Sequence, residues 1–195
     1  MGKRVILVTG TPCVGKTSVA RSLTSKIDAL YVNLTELAVR ENLTLGRDEK
    51  RGSIIIDEAH MKRKLEEIIK NCDKNSVVVD CHYAASIVST KLVTHVFVLR
   101  RDPVELRKLM EQRGFSNKKL WENLASEILD VCLVEALSFH DEEKVCELNV
   151  TGKSVEEVVE EILGVIEGRK KCLVGVVDWL GKLEKENLLD EYLKF

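Results

Sequence analysis

Four short runs rich in apolar and β-branched residues punctuate the chain: Arg4–Thr9, Ser76–Asp80, His95–Arg100 and Lys144–Val150. Tyr31-Val32-Asn33 is a possible fifth. The runs do not alternate polar with apolar residues, which is the pattern of strands covered on both faces of a parallel sheet. Between them, apolar positions recur at helical spacing over Ser18–Ile27, Glu58–Lys70, Pro103–Arg113, Lys118–His140 and Val155–Glu167. Asn33 to Asn42 also reads as a helix. Asp102 before Pro103 supplies a cap and a preset first turn, and Ser154 with Glu157 spells a capping box. Strands alternating with helices predict an α/β fold with a doubly wound sheet. Beyond Gly168 the pattern changes. Leu173, Val176, Val177, Leu180 and Leu183 trace one helical face, interrupted by Gly175 and Gly181. That face suits either a last helix packed on the core or a docking helix for a partner.

A length of 195 residues suits one such domain. The formal net charge of −2 argues against a protein that coats nucleic acid by itself, so any role there runs through a partner. The first strand begins almost at the N-terminus, leaving no room for a signal peptide, and no apolar run approaches membrane-spanning length. A cytoplasmic protein without a membrane partner is expected. The six cysteines form no C-x-x-C pair, and their spacing suggests neither a zinc site nor a disulfide framework. Most are expected to be small core residues in a reducing compartment, with Cys13 and Cys81 beside the expected site.

The chemistry starts at Gly10-Thr11-Pro12-Cys13-Val14-Gly15-Lys16-Thr17, a G-x-x-x-x-G-K-T match placed between a strand and a helix. Such a loop binds phosphates through inward N–H groups at a helix N-terminus. Lys16 can reach the β- and γ-phosphates, and Thr17 can offer a hydroxyl to Mg²⁺. Asp80 ends a buried strand, where an acidic partner for the Mg²⁺ shell belongs. His82 follows at the same edge, either to orient a water or accept a proton, or as a structural histidine. Arg100, Arg101, Arg107, Lys108, Arg113, Lys118 and Lys119 crowd one segment. Gln112 to Lys119, broken at Gly114, reads as a lid that closes Arg113 over phosphates, while Arg107 and Lys108 read as a solvated face. Arg40, near the end of its helix, could clamp the phosphate of a second substrate. Asp57-Glu58-Ala59-His60 spells a helicase box by coincidence, since the chain is too short for two ATPase domains. Asn117-Lys118-Lys119-Leu120 lacks the aspartate of a guanine-reading motif.

The phosphate loop, the D-x-H of Asp80-Cys81-His82, Val96 to Arg100, and Arg113-Gly114-Phe115 with Lys118-Lys119 recur in an order that resembles the adenylate kinase isoenzyme six family. That is the family of archaeal and eukaryotic ribosome-assembly adenylate kinases, and the similarity spans roughly residues 4 to 166. The resemblance implies a P-loop NMP-kinase-like three-layer fold with a five-stranded parallel sheet. It implies a kinase domain over residues 1–169, with an NMP-binding region at about 33–56 and a lid at about 112–122. Residues 170–195 form a helical extension to which no function transfers. It further implies reversible, Mg²⁺-dependent transfer between ATP and AMP, with an ATPase activity. A role in small ribosomal subunit maturation follows, through small-subunit ribosomal protein eleven and thereby indirectly rRNA. Carried over by residue, Cys13, Gly15, Lys16, Thr17 and Ser18 bind ATP phosphates, Arg40 binds AMP, Asp80 and His82 form the acidic motif, and Arg113 is the lid contact. Lys153, in the loop 149–153, borders the adenine. Mg²⁺ would be held by Thr17 and Asp80, partly through water. Cys13 departs from the family's usual glycine, and Leu109 from an expected arginine. The alternative is an ATPase assembly switch, in which water attacks and ATP state controls release of the ribosomal partner.

Overall fold

The apolar runs pair into one parallel sheet, and their lack of alternation is explained by core on both sides of it. The computed structural model describes residues 2–48, 53–80, 84–115 and 117–193. In chain order the strands are β1 (Arg4–Thr9), β2 (Ala29–Asn33), β3 (Thr44–Asp48), β4 (Ser53–Ile56), β5 (Ser76–Asp80), β6 (His95–Arg100) and β7 (Val145–Asn149). The helices are α1 (Lys16–Lys26), α2 (Leu34–Arg40), α3 (Glu58–Asn71), α4 (Ala84–Ile87), α5 (Pro103–Gln112), α6 (Asn117–Ile128), α7 (Val131–Phe139), α8 (Val155–Ile166), α9 (Trp179–Lys185) and α10 (Leu189–Tyr192). The five-stranded sheet runs β2-β5-β1-β6-β7 with parallel pairings throughout. Successive side chains alternate faces. Ile6 and Val8 therefore pack with Val19, Leu106, Leu124 and Val159 on one side. Val5 and Leu7 pack with Leu37, Met61, Leu65 and Ala136 on the other. The result is an α/β fold in three layers.

All five strands of this sheet end at one edge, which gathers Thr9, Asn33, Asp80, Arg100 and Asn149. The expected caps are in place. Asn33 accepts from the Glu36 N–H at 3.0 Å. Asp57 accepts from the His60 N–H at 3.0 Å, so the helicase-like quartet is the start of α3. Asp102 accepts from the Val104 N–H at 2.8 Å. Ser154 and Glu157 complete the capping box of α8.

Four expectations need correction. The helix expected over Lys118–His140 is two helices, because Asp130 adopts a left-handed φ of 57°. Arg100 causes the break: its Nη2 donates to the Glu127 carbonyl at 2.8 Å and contacts the Asp130 carboxylate. Within residues 33–56, β3 and β4 form an antiparallel pair that the pattern did not signal. Leu45 and Ile55 are exposed there, so no core face writes a period of two into the sequence. The apolar face from Leu173 to Leu183 is not one helix. Residues 171–178 belong to neither a helix nor a strand, and α9 starts at Trp179, where Asp178 accepts from the Gly181 N–H at 2.8 Å. Finally, Cys146 and Cys172 form a disulfide with a Cα–Cα distance of 4.6 Å, tying the segment after α8 to β7.

Candidate functional site

The loop from Gly10 to Thr17 joins β1 to α1 as its motif requires. Gly10 has φ 138°, and a Cβ there would lie 2.5 Å from the Leu99 carbonyl oxygen, so a side chain would push the loop off β6. Gly15 caps α1 with φ 109°. Having no side chain, it leaves the first-turn N–H groups of α1 open to an anion. Thr17 and Ser18 are exposed at this first turn. The Lys16 ammonium folds back on the loop, donating to the Gly10 and Thr11 carbonyls, each at 2.8 Å. Cys13 takes φ 71°, a left-handed conformation that suits glycine. Cys13→Gly should relieve about 1–2 kcal/mol of backbone cost, partly offset by about 0.4–1 kcal/mol of added freedom in the unfolded chain. A rise of roughly 1–4 °C in Tm is expected from calorimetry; a fall would show that the Cys13 side chain contributes packing worth more than the strain.

Asp80 is the acidic counterpart. It is 2 % exposed, and its Oδ2 accepts from Thr17 Oγ1 at 2.7 Å, Tyr31 Oη at 2.9 Å and Asn33 Nδ2 at 3.0 Å. Burial, reinforced by the Asp80 carboxylate and opposed by the Asn33 contact, raises the Tyr31 phenol above its ordinary pKa. The phenol therefore keeps its proton and donates. The Thr17 hydroxyl beside a carboxylate, facing a phosphate loop, is a hard-oxygen pair of the kind Mg²⁺ takes while keeping waters and phosphate oxygens as its other ligands. These residues fit the ion. Tyr31 and Asn33 were not anticipated as members of the site.

The basic segment divides into different tasks. Arg100 is 1 % exposed and is spent on Glu127, Glu147 and Asp130, so it offers nothing to a phosphate. Of the expected solvated face, Lys108 is exposed, whereas Arg107 is half-buried, 5.0 Å from the centre of the Trp121 ring and 5.5 Å from that of Tyr192. Arg101 is the cation laid over the loop. Its Nη2 donates to the Val14 carbonyl at 3.3 Å, and its other arm engages Glu105. Burial pushes the Cys132 thiol up to about 11, with Lys16 and Thr11 pulling the other way, so it stays protonated beside the loop.

The other expected residues are dispersed. Arg113 is exposed in the turn between α5 and α6, followed by Gly114 at φ 78°. Within 112–122, Gln112 ends α5, residues 113–114 form a turn and residues 117–122 are the first half of α6. Arg40 ends α2 and, with Tyr31, Asn33 and Glu36, lines a cavity of about 190 Å³ beside β2. It pairs with Glu41 at 3.2 Å. Lys153 pairs with Glu161 at 2.8 Å, so contact with an adenine requires it to leave that carboxylate. His82 and Cys81 lie outside the described residues.

A protein-family model described as "AAA domain" matches residues 6–130. A Pyrococcus furiosus protein is 38% identical over 175 residues, covering 90% of this chain and 91% of its own. One from Methanocaldococcus jannaschii is 33% identical over 177 residues, covering 91% and 93%. Both carry the name "Putative adenylate kinase". Among solved structures, thymidylate kinase from Candida albicans superposes with a TM-score of 0.56 at 16% identity, covering 86% of this chain and 92% of that one. Shikimate kinase from Bacteroides thetaiotaomicron gives 0.56 at 15% identity, covering 84% and 98%. These two matches speak to the fold.

Proposed function

The chain belongs to the AAA-domain family that matches it and to the archaeal relatives it covers almost whole, and from that premise we propose that it is a nucleoside monophosphate kinase of the adenylate kinase type. The reaction is the reversible conversion of ATP and AMP into two ADP. One observation carries the reading. Beside the phosphate loop with Asp80 there is a cavity along the edge strand β2 whose lining includes Leu30, Ile68, Tyr31, Asn33 and Arg40, and Asn33 itself bonds Asp80, which supports a second site next to the first. A hydrolase needs the first alone, whereas a kinase with a phosphorylated acceptor needs a second site with a cation.

Phosphoryl transfer asks for positioning and charge stabilisation more than covalent chemistry. Lys16 would neutralise the transferred group, Arg40 would hold the AMP phosphate, and closure of the 112–122 turn would bring Arg113 over the phosphates and exclude water. Thr17 and Asp80 would hold Mg²⁺, which would supply neutralisation of phosphate charge. The ATPase activity belongs to the same proposal, with water replacing AMP and His82 placing it. So does the maturation role at the small ribosomal subunit. The acidic residues at 141–143 and 156–161 would meet a basic ribosomal protein; of these, Asp141 pairs with Lys144, Glu160 with Lys26 and Glu161 with Lys153. Glu142, Glu143 and Glu156 are exposed. Among the described residues no helix is long and apolar enough to cross a membrane. A cytoplasmic location belongs to the same proposal.

The test is a chromatographic product assay with Mg²⁺ and ATP, with and without AMP. Two ADP per ATP consumed, dependent on AMP, is the expected outcome; ADP with free phosphate whatever the AMP would replace the kinase by an ATPase switch. Arg40→Ala should lower kcat/KM for AMP by about 10²-fold, or about 2.7 kcal/mol, and spare ATP hydrolysis. Equal loss of both activities would count against Arg40 as an AMP clamp.

A further inference from the structure

Glu127, in the last turn of α6, is 1 % exposed and joins three parts of the molecule distant in sequence. Its Oε2 accepts from Thr11 Oγ1 of the phosphate loop at 2.5 Å. Its Oε1 accepts from Arg100 Nε at 2.9 Å, the Arg101 N–H at 3.0 Å and the indole N–H of Trp179 at 3.0 Å. Trp179 opens α9, beyond the region 6–130 that the family model matches.

A bare carboxylate beside a triphosphate site would repel the ligand. Here Arg100 is pinned against it. Burial opposes charge on that guanidinium, but Glu127 and Asp130 outweigh it and raise its pKa. Glu127 therefore acts as a fixed acceptor whose charge is partly offset by Arg100, which it shares with Glu147 and Asp130. What it fixes is mechanically central: the Thr11 backbone carbonyl also receives Lys16 Nζ at 2.8 Å and the Val14 N–H at 3.4 Å. Anchoring the Thr11 side chain sets the residue around which the loop and its lysine are arranged. The extension has its own attachments, with Lys182 on Asp102, Glu191 on Arg107 and Leu183 fully buried. It thus brings the Trp179 indole to Glu127 as part of a docked unit. A buried indole N–H requires an acceptor, and the orientation of Glu127 is in turn defined by its donors.

We propose that Glu127 is a positioning residue for the phosphate loop, and that the C-terminal extension, through Trp179, sets how well that loop binds ATP. The proposal rests on the kinase reading for what occupies the loop. It assigns residues 170–193 a part in ATP affinity, although they lie far from the nucleotide in sequence.

The experiment is isothermal titration of the full-length chain with Mg·ATP and, separately, with AMP, for the unaltered protein, Trp179→Phe and Glu127→Gln. Trp179→Phe keeps an aromatic ring and removes the N–H; Glu127→Gln keeps the shape and removes the charge. The expected result is ATP binding weakened by about 5- to 20-fold in each, the loss of one to two hydrogen bonds, with AMP binding changed less than about twofold. A purely structural cluster would lower Tm and leave ATP affinity in the folded fraction unchanged, which would overturn the proposal. If Glu127→Gln does not fold, Trp179→Phe decides alone. No ATP binding by the unaltered chain would remove the kinase reading and the proposal together, whereas equal binding by all three proteins removes the proposal alone.

Discussion

Lys16→Ala is expected to lower phosphoryl transfer by about 10³-fold and to leave the fold standing. Removing one donor that stabilises charge developing in a transition state typically costs 10²- to 10³-fold, and an ammonium on the transferred phosphate belongs at the upper end. Lys16 is buried, but the two acceptors at 2.8 Å from its ammonium are carbonyls of the loop and not side chains of the packed core, so the fold should survive. Lys16→Arg should not rescue the rate, since a planar guanidinium cannot substitute for a compact ammonium inside so tight a loop. The measurement is the initial rate at saturating ATP and AMP, beside a thermal melt. A variant that keeps more than about a tenth of the activity would move the reacting phosphate away from this loop, and with it the roles of Thr17 and Asp80.

The sequence discloses the parts of this molecule whose physics is local. Val5 to Val8 and Val77 to Val79 read as doubly covered strands because every position faces core, and they are buried as expected. The phosphate loop is readable because its chemistry resides in backbone and in two glycines whose φ values no other residue takes easily. The caps at Asn33, Asp57, Asp102 and Ser154 are readable because the donor lies within three residues of the acceptor. The misses are the long-range pairings. Tyr31 and Asn33 reach Asp80 because β2 lies beside β5 with Asn33 opposite Asp80, a register no local pattern records. The role of Arg100 could not be separated from that of Arg101, one residue on. Alternation along β6 and the turn that follows send the first into the core and the second over the loop. The break between α6 and α7, the Cys146–Cys172 pair and the Trp179 contact likewise depend on partners more than 25 residues away. In each case the sequence supplied the residue and the fold supplied its partner.

Arg100→Met tests that long-range cluster at its centre. The guanidinium donates to Glu127 Oε1 at 2.9 Å, Glu147 Oε1 at 2.6 Å and the Glu127 carbonyl at 2.8 Å, and it contacts Asp130. Glu127 and Glu147 have side chains 1 % and 0 % exposed. Methionine fills much of the same volume, so the main effect is to leave two buried carboxylates without their cation. Removing one partner of a buried ion pair costs about 3–5 kcal/mol, and two abandoned anions place this variant at the upper end. For a chain of this size that is roughly 10–20 °C in Tm. Arg100→Lys should recover little, because one ammonium cannot reach acceptors spread across α6, β7 and the turn at Asp130. The pH dependence gives the cause away. Protonating the abandoned carboxylates removes the buried charge, so the deficit relative to the unaltered protein should shrink as pH falls and grow as pH rises. A cavity or a packing fault would give a deficit independent of pH. A loss below about 1 kcal/mol at neutral pH would mean that neither the two carboxylates nor the break between α6 and α7 is held by Arg100, and the left-handed turn at Asp130 would need another cause.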